Sequence, residues 1–250
     1  TAVTDILVEN GKVVGVAVGD ARVKADIVVN CTGMWGRSVG AMTNSAVPLH
    51  ACEHFYVVTE PFDGVTPNLP VLRDQDNYAY YKEDAGKILL GAFEPQAKPW
   101  GGSGIPEAFC FDELPSDMDH FMPVLERAMN RMPALQEVGI RTWFCGPESF
   151  TPDNRYHLGE VGDVKGLFVA CGFNSIGIQS AGGVGKVMAE WIRDGHPPMD
   201  LWDVDIRRVM PFQSNPRYLS ERVGEALGLL YAMHWPFYQY RTARGVRTSP

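Results

Sequence analysis

The chain has 250 residues, 45% of them apolar, and a formal net charge of −8 at neutral pH. That length suits one large domain or two ordinary ones, and the acidic balance without any Lys/Arg stripe excludes a polyanion-binding surface, so no nucleic acid partner is expected. Five cysteines without CxxC spacing and six scattered histidines argue against a zinc site, and no apolar run is long enough for a membrane span.

In chain order, VTDILVENGKVVGVAV (3–18) alternates apolar and polar residues on both sides of Asn10-Gly11, which predicts a hairpin. ARVKADIVVNCTG (21–33) adds a strand ending in the apolar run ADIVVN, the pattern of a buried parallel strand. GMWGRSVGAM (33–42) reads as a turn and a short helix. HFYVVTE (54–60), YAYYKED (78–84) and KILLGAFE (87–94) follow, separated by turns, and predict an antiparallel sheet. In 112–135 the residues Phe121, Leu125, Ala128 and Met129 repeat at helical spacing until Pro133 closes the run. GLFVACG (166–172) returns to a buried strand, Gly177 to Ile192 forms a helix, and GHPPMD (195–200) stops it. Residues 201–216 read as a linker, and YLSERVGEALGLLYAM (218–233) as the start of another element. The chain opens inside a strand pattern and is expected to be an excerpt of a longer one.

Gly172, Gly177, Gly182, Gly183 and Gly185 crowd the start of that last long helix. A helix start offers free N–H groups and a positive dipole end, yet small-residue packing on a sheet gives the same pattern, and both readings stand. Cys31-Thr32-Gly33 after ADIVVN suits close backbone approach to a cofactor or an ordinary tight turn. His54 is an acid/base candidate or a hydrogen-bonded core residue. Tyr78, Tyr80 and Tyr81 are placed on one strand, with 78 and 80 sharing a face: an aromatic lining for an amine, or sheet packing. Glu94 is paired with Lys98 or Arg73, or caps a turn.

Five stretches together, VVNCTGMWGRSVG (28–40), PLHACEHFYVVTEP (48–61), LLGAFEPQAKPW (89–100), GPESFTPDNRYHLGE (146–160) and FVACGFNSIGIQSAGG (168–183), resemble the dimethylglycine/sarcosine dehydrogenase family. The resemblance implies an α+β or α/β fold: part of a Rossmann-like FAD-binding domain, related to D-amino-acid oxidase, with an inserted antiparallel substrate domain. It implies an FAD-binding portion at 1–45, a substrate domain at 46–145, a return to the FAD domain at 146–200, a linker at 201–216 and, at 217–250, the start of an aminomethyltransferase-like part that binds tetrahydrofolate. The family's GxGxxG is absent from these residues, so this piece alone is expected to bind FAD poorly.

By the same resemblance, Gly33 and Gly40 approach FAD, and Gly172, Phe173, Asn174, Ser175, Ile176 and Gly177 wrap its ring. His54 and Tyr80 carry the catalytic roles, and Tyr78, Arg73 and Gln179 meet substrate. Related monomeric sarcosine oxidases hold a lysine where this chain has Gln179, which moves carboxylate recognition toward Arg73. The implied activity is oxidative demethylation of an N-methyl amino acid, with electrons passing to an electron-transfer flavoprotein or oxygen, in the mitochondrial matrix of a eukaryote or the cytoplasm of a bacterium. The rival implied by the same architecture is a non-catalytic regulatory subunit of pyruvate dehydrogenase phosphatase.

Overall fold

Three consecutive strands open the chain in the computed structural model, which describes residues 2–234, 236 and 239–242. β1 (Asp5–Glu9), β2 (Lys12–Val18) and β3 (Ala21–Lys24) form an antiparallel meander. Asn10 and Gly11, at φ 50° and 74°, supply the left-handed pair that the hairpin turn requires. The chain then divides into two compact units. The first comprises Thr1–Ala51, Gly101–Ile105 and Ser149–Val223; the second comprises Cys52–Trp100, Pro106–Glu148 and Gly224–Pro250.

In the first unit, β4 (Val28–Asn30) pairs in parallel with β12 (Leu167–Cys171), which pairs antiparallel with β11 (His157–Glu160). Every residue of β12 is buried. Leu167, Val169 and Cys171 join one apolar cluster with Leu49 and Val13, while Phe168 and Ala170 join another with Met188 and Trp191. A sheet covered on both faces needs apolar residues at every position, hence the unbroken LFVAC. At ~1.5–3 kcal/mol for each large side chain buried, this strand anchors the unit. Helix α1 (Gly36–Ala41) follows β4, and α3 (Gly177–Asp194) follows β12. Gly195, at φ 76°, ends α3 by donating its N–H to the Trp191 carbonyl.

Residues 201–216 are not the free linker expected. The Leu158 N–H donates to the Val204 carbonyl, Ile206 is buried, and Arg208 pairs with Asp153 while donating to the Arg155 carbonyl. Those partners lie about fifty residues away in sequence, so local composition gives no sign of them.

In the second unit a sheet runs in the order β10 (Ile140–Phe150), β5 (His50–Thr59), β8 (Lys87–Ala92), β7 (Ala79–Asp84), β6 (Leu72–Asp74), with β9 (Pro99–Trp100) also on β5. Helix α2 (Met118–Arg131) starts at Asp117, whose carboxylate accepts the His120 N–H at 2.9 Å. Phe121, Val124 and Ala128 of α2 share a cluster with Phe55, Val57, Tyr81, Ile88, Leu90 and Ala92. Strand period two therefore leaves His54, Tyr56, Tyr80, Leu89 and Gly91 on the opposite face. Tyr78 is not on the strand: it precedes β7 at φ 59° and does not share the face of Tyr80. Within this unit the second half of α4 (Pro216–Leu229) lies backbone to backbone on 94–97. A Cβ at Gly228 would lie 2.5 Å from the Pro95 Cα, and the Ala97 N–H donates to the Gly224 carbonyl. The region expected to open a folate-binding part, 217–250, includes residues 235, 237, 238 and 243–250, which lie outside the described residues.

Candidate active site

On the face of the second unit's sheet that turns away from α2, the imidazole of His54 meets the hydroxyl of Tyr80: Nε2 and Oη are 3.2 Å apart. Tyr80 and Gly91 are register partners across β7 and β8. The Tyr80 ring lies over Gly91 so closely that a Cβ there would sit 2.0 Å from Tyr80 Cζ. Glycine thus lets the tyrosine lie flat and reach across to β5. Burial, and then the charge of Glu148, push the Tyr80 phenol above its ordinary range, so it serves as a neutral hydrogen-bonding group and not as a phenolate base.

Phe93 closes one side, its ring centroid 4.9 Å from that of His54. Tyr231 stacks on Phe93 at 4.5 Å, and the Arg73 guanidinium sits 4.4 Å above the Tyr231 ring. Cross-strand pairing sets Arg73 opposite Tyr80. The second unit therefore brings together His54, Tyr80 and Arg73 around an aromatic wall of Phe93 and Tyr231. Tyr78 is held elsewhere, its ring under the Arg127 guanidinium at 5.6 Å. Glu94 pairs with neither Lys98 nor Arg73; it accepts from His120 Nε2 at 3.0 Å. Phe93, Gly91 and Tyr231 escaped the sequence reading because only strand register and a turn of chain far down the sequence bring them to His54.

The first unit holds the other residues singled out. Gly172 (φ 71°), Asn174 (φ 50°) and Ser175 (φ 70°) make a left-handed turn between β12 and α3. A Cβ on Gly172 would meet the Thr151 methyl at 2.6 Å, so glycine is required there on two counts. Asn174 is buried; its Oδ1 accepts the Thr151 N–H at 2.8 Å and its Nδ2 donates to Thr151 Oγ1 at 3.1 Å. These bonds hold a backbone conformation that non-glycine residues rarely adopt.

The turn delivers the start of α3, where Ile176 provides no side-chain cap and the first turn carries no acidic residue. Gly182, Gly183 and Gly185 are exposed, with open space where a Cβ would stand. Packing on a sheet therefore does not account for these three glycines among the described residues. Ile178 is 99% exposed beside them, and Gln179 is exposed in the same turn. Gly33 (φ 58°) is also open, whereas Gly40 is buried, 2.6 Å from a Val47 methyl by the same measure. Gly40 serves helix packing inside the unit.

Known proteins give this geometry its context. Residues 1–191 match the family model described as FAD dependent oxidoreductase, and residues 194–249 match the model described as FAD dependent oxidoreductase central domain. The chain is 43% identical over its whole length to 4-methylaminobutanoate oxidase (formaldehyde-forming) of Paenarthrobacter nicotinovorans, covering 30% of that protein. It is 38% identical, again over its whole length, to the mitochondrial pyruvate dehydrogenase phosphatase regulatory subunit of Mus musculus, covering 29% of it. Human mitochondrial sarcosine dehydrogenase is 36% identical over 96% of the chain and 26% of that protein. The chain thus spans under a third of the length of each of these three relatives. Among solved structures, L-proline dehydrogenase from P. horikoshii superposes with a TM-score of 0.69 at 26% identity, over 83% of this chain and 53% of that one. The match over residues 1–191, together with the D-amino-acid-oxidase-like fold it describes, shows that the chain belongs to the FAD dependent oxidoreductase family.

Proposed function

We propose that the whole protein uses FAD to demethylate an N-methyl amino acid oxidatively, and the His54–Tyr80 pair against Phe93, with Arg73 beside Tyr231, carries this reading. The aromatic wall suits an amine, whose positive charge is attracted to ring faces. His54 accepts the ammonium proton, leaving a neutral amine with a lone pair able to drive loss of hydride from its methyl group. Tyr80 holds the imidazole in place and donates or accepts at Nε2 as that proton moves. Arg73 offers the substrate carboxylate a guanidinium, the charge that Gln179 does not supply.

The residues of the first unit suit FAD: uncapped N–H groups at the start of α3, open glycines along it, the open turn at Gly33, and no carboxylate in the first turn to repel an anion. Gly33 and residues 172–177 are the ones that would hold it. When bound, FAD supplies the two-electron oxidation of the N-methyl carbon. Helix-start N–H groups there would offer hydrogen-bond donors to negative charge on that cofactor. Further steps belong to the whole protein: passage of the one-carbon unit to tetrahydrofolate, re-oxidation by an electron-transfer flavoprotein or oxygen, and residence in the mitochondrial matrix or bacterial cytoplasm.

The 38% identity to a phosphatase regulatory subunit favours one other reading, a non-catalytic subunit built on the same fold. One experiment separates the two. The purified whole protein is mixed anaerobically with 4-methylaminobutanoate, sarcosine or dimethylglycine while its flavin absorbance is followed. Bleaching by any of the three supports the oxidase or dehydrogenase reading and ranks the substrates. Bound flavin that none of them reduces favours the regulatory subunit, and absence of flavin overturns the cofactor assignment.

A further inference from the structure

A small cavity in the first unit, about 30 Å³ in volume and partly open beside the exposed Ser38 and Gly104, lies between α1, the start of β5 and the turn at 101–105. Arg37, Ser38 and Met34 line it on one side, Leu49, His50 and Ala51 on another, and Gly101, Gly104 and Ile105 on the third. Two of its lining side chains carry buried polar atoms without a partner. His50 is 2% exposed; its Nδ1 lies 2.7 Å from the Ala51 carbonyl oxygen, an acceptor, so Nδ1 carries the proton and Nε2 is left buried and bare. Arg37 Nη1, a donor, is likewise buried without a partner, and Arg37 forms no ion pair among the described residues. Buried polar atoms are rarely left so, and a guanidinium without a counter-charge less often still.

We propose that this cavity is a proton-coupled site for one small monovalent anion. With His50 neutral, Nε2 only accepts, and a water satisfies both atoms, accepting from Arg37 and donating to His50. With His50 protonated, Arg37 and His50 both donate, and the cavity suits a halide. Its volume exceeds the ~10–15 Å³ that a cavity needs to hold one water, so it admits a small occupant. No carboxylate lines it: α1 contributes Arg37 as its one charged group, β5 contributes His50, and the 101–105 turn contributes none. Burial, opposed by the Ala51 hydrogen bond, and then the Arg37 charge hold the His50 imidazole below its ordinary range; a bound anion raises it again. Anion affinity therefore strengthens as pH falls, by up to tenfold per pH unit, while each anion bound brings one proton with it.

The test uses the whole protein. Its melting temperature is measured against sodium bromide and, at matched ionic strength, sodium gluconate, at pH 5.5 and pH 8. Bromide-specific stabilisation larger at pH 5.5 is expected, and Arg37→Met abolishes it. His50→Gln, which keeps a donor and an acceptor but takes up no proton, removes the pH dependence and serves as the check should Arg37→Met fail to fold. A bromide-soaked crystal at the lower pH is expected to show anomalous scattering between Arg37 and His50. Equal effects of bromide and gluconate at both pH values, or a water in that position at both, overturn the proposal.

Discussion

At the scale of single residues, Gly91 decides whether Tyr80 reaches His54. The methyl group of Gly91→Ala would fall within van der Waals contact of the Tyr80 ring, so the ring must swing away and the hydrogen bond to His54 is lost. Flavin reduction by the preferred amine is expected to slow by roughly 10²-fold, the contribution of one positioned acid/base partner. Tyr80→Phe should do the same with the ring left in place, and rapid-mixing absorbance compares the two. An unchanged rate in both variants would remove Tyr80 from the chemistry. His54 and Tyr80 were visible in the sequence as reactive residue types on strand patterns; Gly91 was not, because its importance lies in what it leaves empty. His157 offers a separate test. It is fully buried, Nε2 donates to the Pro48 carbonyl at 2.9 Å, and burial, with the Arg208 charge, lowers its pKa to about 4. A histidine with a depressed folded-state pKa contributes stability that is present above about pH 6.5 and is lost as pH falls toward 4. The urea midpoint should drop over that interval, and His157→Gln should flatten this part of the profile.

At the scale of elements, the turn into α3 shows how a local sequence becomes a strained corner. GFNSIG carries a glycine at either end, and the left-handed residues of the turn it forms are Gly172, Asn174 and Ser175. Asn174 tolerates this because it bonds Thr151, 23 residues away. Asn174→Ala loses those bonds and keeps the strain, and is expected to destabilise the protein by about 2 kcal/mol. Asn174→Gly loses the bonds but relaxes the backbone and should cost less; the difference in chemical-denaturation midpoints measures the strain. The same contrast holds along α3. Its length and its stop at Gly195 follow from periodicity and the prolines beyond, whereas the exposure of Gly182, Gly183 and Gly185 depends on where the helix docks. Met188 and Trp191 bury the other end against β12.

At the scale of the whole molecule, each unit is assembled from segments distant in sequence, and the stretch 201–216 shows the consequence. It reads as a linker, yet Arg208 bonds both carboxylate oxygens of Asp153 at 3.0 and 3.2 Å and the Arg155 carbonyl at 2.6 Å. Arg208→Met would leave Asp153 without its partner and is expected to cost about 3 kcal/mol, read as a lower urea midpoint with the cooperative transition retained. What the sequence determined by itself was set by short-range period and turn chemistry: the Asn10-Gly11 hairpin, the doubly buried LFVAC strand, a helix within 112–135, and the extent of α3. Tertiary structure alone decided which of those residues meet. It set Tyr80 on His54 and Tyr78 on Arg127, gave Glu94 to His120, and put Arg37 and His50 on one cavity. The reason is physical: strand and helix periods are fixed by backbone geometry within a few residues, while partners across a sheet or a packed unit are chosen by register and burial over tens to hundreds of residues.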